Sequence, residues 1–90
     1  GNYLLGGRKA LNKPRDPQEC NEAGKVVVSI EVNKSGRVID AKAGVRGTTN
    51  NSKCLLDKAE ENAYATKFNS DNNAPIKQIG KIIYNFKLSQ

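Results

Sequence analysis

Apolar and polar residues alternate most cleanly in one stretch, Gly24 to Val45, which reads GKVVVSIEVNKSGRVIDAKAGV. Val26, Val28, Ile30 and Val32 fall on one face, and Lys25, Val27, Ser29 and Glu31 on the other. Period two marks a strand with one buried side. Asn33-Lys34-Ser35-Gly36 predicts a turn, because Asn and Gly accept positive φ and let the chain reverse. A second strand follows, with Ile39, Ala41, Ala43 and Val45 on one face and Val38, Asp40 and Lys42 on the other. A lone hairpin is marginal in water, so the rest of the chain must cover its apolar face.

The period then changes. Leu55, Leu56, Ala59, Ala63 and Thr66 recur at spacings of three and four, which predicts a helix from about Lys53 to Lys67. Asn51 or Ser52 caps it. Ala59 and Ala63 are small enough to let it sit close on a sheet, Phe68 helps to fill the end, and Asp57, Lys58, Glu61 and Asn62 face water. A polar loop through Pro75 leads to a third strand, Gly80 to Leu88. There Ile82, Tyr84, Phe86 and Leu88 face the helix, and Lys81, Ile83, Asn85 and Lys87 face outward. Before the hairpin, Gly6-Gly7, Pro14 and Pro17 forbid a long regular element. Residues 1–23 therefore read as an extended N-terminal arm that packs its leucines on the domain edge, with a disordered lead-in as the alternative. The fold class is α+β in the order β-β-α-β, with the domain spanning 24–90. A right-handed connection through the helix lays the third strand beside the first. The result is a three-stranded antiparallel sheet of order 2-1-3, with one main helix on one face and the third strand as the more available edge.

Composition narrows the function. Twenty Leu, Ile, Val and Phe among 90 residues make one small core. No apolar run is long enough to span a bilayer, so a membrane anchor, if there is one, lies upstream. The net charge is +6, but the basic residues are scattered and the five aromatics do not interleave with them. That pattern reads as solvated surface rather than a nucleic-acid platform. His is absent, which removes Cys–His and Ser–His nucleophile pairs and the usual zinc sets. No carboxylate pair is spaced for general acid–base work. The chain reads as a non-enzyme without metal or cofactor. Cys20 and Cys54 are two free thiols in a reducing compartment and a bridge in an oxidising one. Cys54, in the first helical turn, could be reactive, but a structural bridge to Cys20 is the preferred reading.

The order and spacing of GKVVVSIEVNKSGRVIDAKAG, a polar loop, CLLDKAEENAYATKF, a short loop and GKIIYNFKL resemble the C-terminal domain of TonB, the energy transducer of the Gram-negative envelope. The likeness is nearest to the Bacteroidetes-type versions and covers Gly24 to Leu88. Gly7-Arg8 and Pro14-x-x-Pro17 also look like what precedes such domains. The chain departs in having Arg15-Asp16-Pro17 where the best-known members carry Tyr-Pro, and Thr66-Lys67 where they often show Trp. The resemblance implies a periplasmic domain of an inner-membrane-anchored protein. Its partners would be TonB-dependent outer-membrane transporters, bound through their TonB box peptide, and the ExbB–ExbD motor, engaged through an N-terminal segment. By analogy the peptide adds as a strand to Lys81, Ile82, Ile83, Tyr84, Asn85, Phe86, Lys87 and Leu88. Lys81 and Lys87 either complement acidic residues flanking the peptide or keep the edge from aggregating. The alternative function is a partner- or cell-wall-binding domain of an envelope signalling or antibiotic-sensor protein. Homodimer formation and peptidoglycan binding stay open as further associations.

Overall fold

The computed structural model describes residues 2–12 and 20–88. The strands are β1 (Asn2–Leu4), β2 (Ala10–Asn12), β3 (Gly24–Val32), β4 (Val38–Ala43), β5 (Lys67–Phe68) and β6 (Gln78–Phe86), with one helix, α1 (Lys53–Ala65), between β4 and β5. No helix among the described residues is long and apolar enough to cross a membrane. Pro14, Arg15, Asp16 and Pro17, on which part of the reading of the arm rested, lie outside the described residues.

The central strand is β3, as its alternation requires. Val26, Val28, Ile30 and Val32 are fully buried against α1, each adding about 1.5–3 kcal/mol of apolar burial. On one side β3 pairs with β6 along its whole length, from Gly24↔Phe86 to Val32↔Gln78. On the other it pairs with β4. These three strands take the order expected of them. The arm adds a fourth, so the sheet runs β1-β6-β3-β4 and the third predicted strand is not the outermost one. β2 and β5 form a separate two-stranded sheet.

Two faces differ from expectation. The β3–β4 register shifts between Glu31 and Val32, placing Val38 opposite Val32 in the core. Ile39 therefore turns outward, reversing the predicted alternation at the start of β4. Asn62, expected in water, is buried on the packed side of α1, and its Nδ2 has no hydrogen-bond partner among the described residues. The helix otherwise follows its spacing. Leu55, Ala59, Ala63 and Thr66 are buried, and the helix is built from the good formers Ala, Leu, Lys and Glu. Ser52 is the cap, its Oγ accepting from Leu55 N at 3.3 Å. Thr66 ends the helix by going extended, while its Oγ1 donates to Asn62 O at 2.8 Å.

Cys20 and Cys54 are bridged, with S–S 2.05 Å and Cα–Cα 5.6 Å. The bridge ties the segment before β3 to the first turn of α1. A separation of 34 residues gives about 3–4 kcal/mol on the chain-entropy account.

Arg8 ties the arm to the domain. Only 4% exposed, it donates from Nε and Nη2 to Asn69 O at 2.9 and 2.7 Å, from Nη2 to Asn33 O at 3.0 Å, and from Nη1 to Gln78 Oε1 at 3.1 Å. One guanidinium thus joins the hairpin turn, the segment after α1 and the start of β6. Around it Lys9 N donates to Asn69 Oδ1, Gln78 Nε2 donates to Gly6 O, and Phe68 N donates to Gly36 O. Gly36 is required here. Its φ is +91°, and a Cβ would lie 1.9 Å from Phe68 O.

Truncating Arg8 would strand these carbonyls without their donors. Arg8→Ala is expected to lower the unfolding free energy by about 3 kcal/mol or more in urea melts. Arg8→Lys should recover only part of this, because an ammonium cannot span the same fork. Wild-type stability in Arg8→Ala would show that the guanidinium does not hold the four segments together.

Candidate functional site

The site predicted from sequence was a sheet edge, and the two edges of the four-stranded sheet are closed in different ways. Peptide direction along each strand can be followed from β3. Val27 N donates to Thr48 Oγ1 at 3.0 Å, and Val27 O accepts from Gly44 N at 3.0 Å, both on the β4 side. Peptides alternate in direction along a strand, so Val26, Val28 and Ile30 turn toward β6. Their partners Tyr84, Ile82 and Gly80 turn back toward β3. Lys81 and Ile83 therefore turn outward, to the edge.

At that outer edge stands β1, antiparallel, with Asn2↔Ile83, Tyr3↔Ile82 and Leu4↔Lys81. The expected open edge is thus covered by the chain's own arm over the first three of its predicted residues. The physical reason is the seat on the helix side of β6. The Tyr3 ring meets Phe68 edge-on, with centroids 5.4 Å apart. Leu5, opposite Gly80, is buried, and a Cβ on Gly80 would come within 2.6 Å of both Leu4 O and Leu5 Cδ1. Glycine at position 80 makes the close approach of the arm possible. The leucines of the arm divide. Leu5 packs inward, while Leu4 and Leu11 remain 64% and 66% exposed, contrary to the expectation that all would pack.

Along the rest of the predicted stretch, Ile82, Tyr84 and Phe86 are buried toward α1, and the Tyr84 and Phe86 rings stack with centroids 6.1 Å apart. Ile83 is half-buried, and Lys81, Asn85 and Lys87 are exposed. Leu88 was expected to face the helix. It lies past the end of β6 and is 53% exposed. On the open face of the sheet, Ser29 lies between Lys42 on β4 and Lys81 on β6, and Leu4 follows beyond Lys81.

The opposite edge, β4, is sealed by side chains of α1. Ala41 N donates to Tyr64 Oη at 3.1 Å, and Ala43 N donates to Glu60 Oε2 at 3.3 Å. Both peptides point away from β3, since Lys42 and Gly44 point toward it. Spacing alone placed neither Tyr64 nor Glu60 in this role, because it depends on how α1 lies over β4. Among the described residues no group of three or more His, Cys, Asp or Glu side chains could hold a metal ion. The titration shift there is remote from both edges. The pKa of Lys53 is raised by its hydrogen bond to, and the charge of, Asp57 on the exposed face of α1.

Tyr64→Phe removes the acceptor at Ala41 and leaves the ring in place. Amide exchange at Ala41 should quicken about tenfold or more, while Lys42, turned toward Ser29, keeps its rate. Equal rates at Ala41 in both proteins would mean that Tyr64 does not seal this edge.

Comparison of the chain with protein-family models, with curated proteins and with solved structures finds no match.

Proposed function

We propose that this chain is a strand-accepting binding module of the TonB type. It is the periplasmic C-terminal domain of an energy transducer, and it captures the TonB box of outer-membrane transporters on the outer edge of β6. On this reading the protein is anchored in the inner membrane. A segment upstream of the domain engages the ExbB–ExbD motor, and the domain passes the pull to the transporter. It is a binding protein rather than an enzyme.

The observation that carries the proposal is the pairing of an extended segment, β1, on Lys81–Ile83. This edge accepts a strand in antiparallel register, with backbone bonds outward and a seat for side chains inward, as peptide capture by strand addition requires. The β4 edge supports the same choice, because Tyr64 and Glu60 already occupy its donors at Ala41 and Ala43. A pull along a bound strand would load the cross-strand bonds to β6 together. β6 in turn is held along its full length by β3 and at its first residue by Arg8 through Gln78. The exposed ammonium of Lys81 stands where an acidic residue of the peptide would lie across from it.

The test is a titration of isotopically labelled protein with TonB box peptides from transporters of the source organism, followed by amide NMR shifts. The largest shifts are expected at Lys81 to Leu88, with little movement at Ala41 and Ala43. If no such peptide moves this strand, the transporter role fails. Cell-wall fragments and envelope signalling partners would then be the next ligands to try.

A further inference from the structure

We infer that β1 is a stand-in for the partner strand, and that its side chains specify the partner. The ligand is an extended segment with an aromatic residue followed two positions later by a branched aliphatic one, running antiparallel to β6. The inference rests on the strand-addition reading and adds what is selected and what competes.

Three features of β1 point this way. The first is the shape of its seat. In the observed register Tyr3 and Leu5 both face the helix side, one beside the Phe68 ring and one over the bare backbone of Gly80. A flat ring fits the first place, and a residue larger than Ala fits the second because Gly80 contributes no side chain there. The residue between them, at the position of Leu4, lies on the open face opposite Lys81. An acidic residue there would meet the ammonium, whereas Leu4 leaves most of its surface in water.

The second feature is that the backbone pairing of β1 is short, with the Tyr3 ring on Phe68 and the Tyr3 hydroxyl, which accepts from Ala10 N at 3.2 Å, as further holds. The strand is three residues long, and Asn2 and Leu4 are exposed. The outward peptides of Lys81 and Ile83 pair with Leu4 and Asn2, the only residues of β1 that this alternation turns toward β6. Pairings this short open at a small cost compared with global unfolding.

The third feature is a pivot. Gly6 and Gly7 follow Leu5; a Cβ on either would meet nothing within 4 Å, Gly7 has φ +72°, and Gly6 O accepts from Gln78 Nε2 at 2.8 Å. Beyond them Arg8 is fixed by its hydrogen bonds to Asn69, Asn33 and Gln78. On this inference residues 2–5 swing off β6 about the glycine pair, breaking the hydrogen bonds that Arg8 N donates to Leu5 O and Ala10 N donates to Tyr3 Oη, while the remainder of the arm stays in place. The closed arm lowers the apparent affinity for a partner by the fraction of time the edge is open.

The test uses the full chain and a synthetic probe peptide, acetyl-Gly-Asn-Tyr-Leu-Leu-Gly-amide, which copies the arm. A second probe replaces the first Leu with Glu. Binding is measured calorimetrically to three proteins: wild type, Tyr3→Ala, and a double variant, Asn2→Cys with Ile83→Cys. The last closes the arm covalently, since directly opposed antiparallel residues lie within disulfide reach. Peptide mapping confirms that Cys20 and Cys54 remain paired with each other. Tyr3→Ala is expected to bind the first probe at least about tenfold more tightly than wild type, and the locked variant not at all. The Glu probe should bind more tightly than the Leu probe at low salt and lose that advantage at high salt. Equal affinity across the three proteins overturns the inference, as does binding to the locked variant. These outcomes are separate from the transporter test. If the arm peptide binds as expected and no TonB box peptide does, the seat stands and the transporter role falls. If TonB box peptides bind the locked variant as well as wild type, the stand-in role falls and transporter capture lies on another surface.

Discussion

The buried guanidinium of Arg8 is the constraint on which the arrangement of the sheet edge depends. It is a charge almost out of water, and among the described residues its four hydrogen bonds end on neutral oxygens, from Asn69, Asn33 and Gln78. A buried cation is tolerable only when its donors are met. Here four of the five N–H groups are met by three segments, which must therefore stay together. The hairpin turn, the exit from α1 and the beginning of β6 converge on one side chain, and the arm that delivers it must follow. Once Arg8 is in place, Gly7 and Gly6 turn the chain back and residues 2–5 fall alongside β6. Arg8 thus brings β1 within reach of β6, and the seat of Tyr3 and Leu5 holds it there.

The two edges of the sheet are closed in different ways. β4 lies beneath α1, and the helix reaches over it with Tyr64 and Glu60 to occupy the outward donors of Ala41 and Ala43. Those contacts belong to the packed body of the domain and cannot leave without moving the helix. β6 is covered by a strand of three residues hung from a glycine pair. An edge closed in this way is protected from uncontrolled pairing, and on the proposed reading it also exchanges with a better strand. The proposed function makes use of that difference.

Much of the frame was legible because it is local. The alternation of Val26, Val28, Ile30 and Val32 specifies β3, the three-and-four spacing of Leu55, Ala59 and Ala63 specifies α1, and Ile82, Tyr84 and Phe86 specify β6. Right-handed connection then orders the three strands. An even cysteine count in a small domain favours a bridge in an oxidising compartment and two free thiols in a reducing one; the structure has Cys20 and Cys54 bridged. What escaped was not local. Three residues are too few to show a period, so β1 could not be told from an unstructured lead-in. Arg8 looks like any surface cation until the segments that accept from it are brought together. The register shift near Val32 exchanges Val38 and Ile39 between core and solvent, which no alternation rule anticipates. β6 is legible as a strand, but its cover by the arm and the contacts of Tyr64 and Glu60 to β4 are tertiary facts.

The most direct measurement is native-state amide hydrogen exchange, followed by NMR on the free, unaltered chain. The amides of Val26, Val28, Ile30 and Ile82 face the β3–β6 seam and should exchange only with global unfolding. Those of Lys81 and Ile83 face β1 and should exchange on the order of a hundredfold faster or more, because opening the arm alone releases them. That hierarchy is the signature of a fixed sheet with an exchangeable outer strand. If Lys81 and Ile83 are as protected as Ile82, β1 is an integral strand, the edge of β6 is closed to partners, and the account of this domain as a strand acceptor at that edge is contradicted.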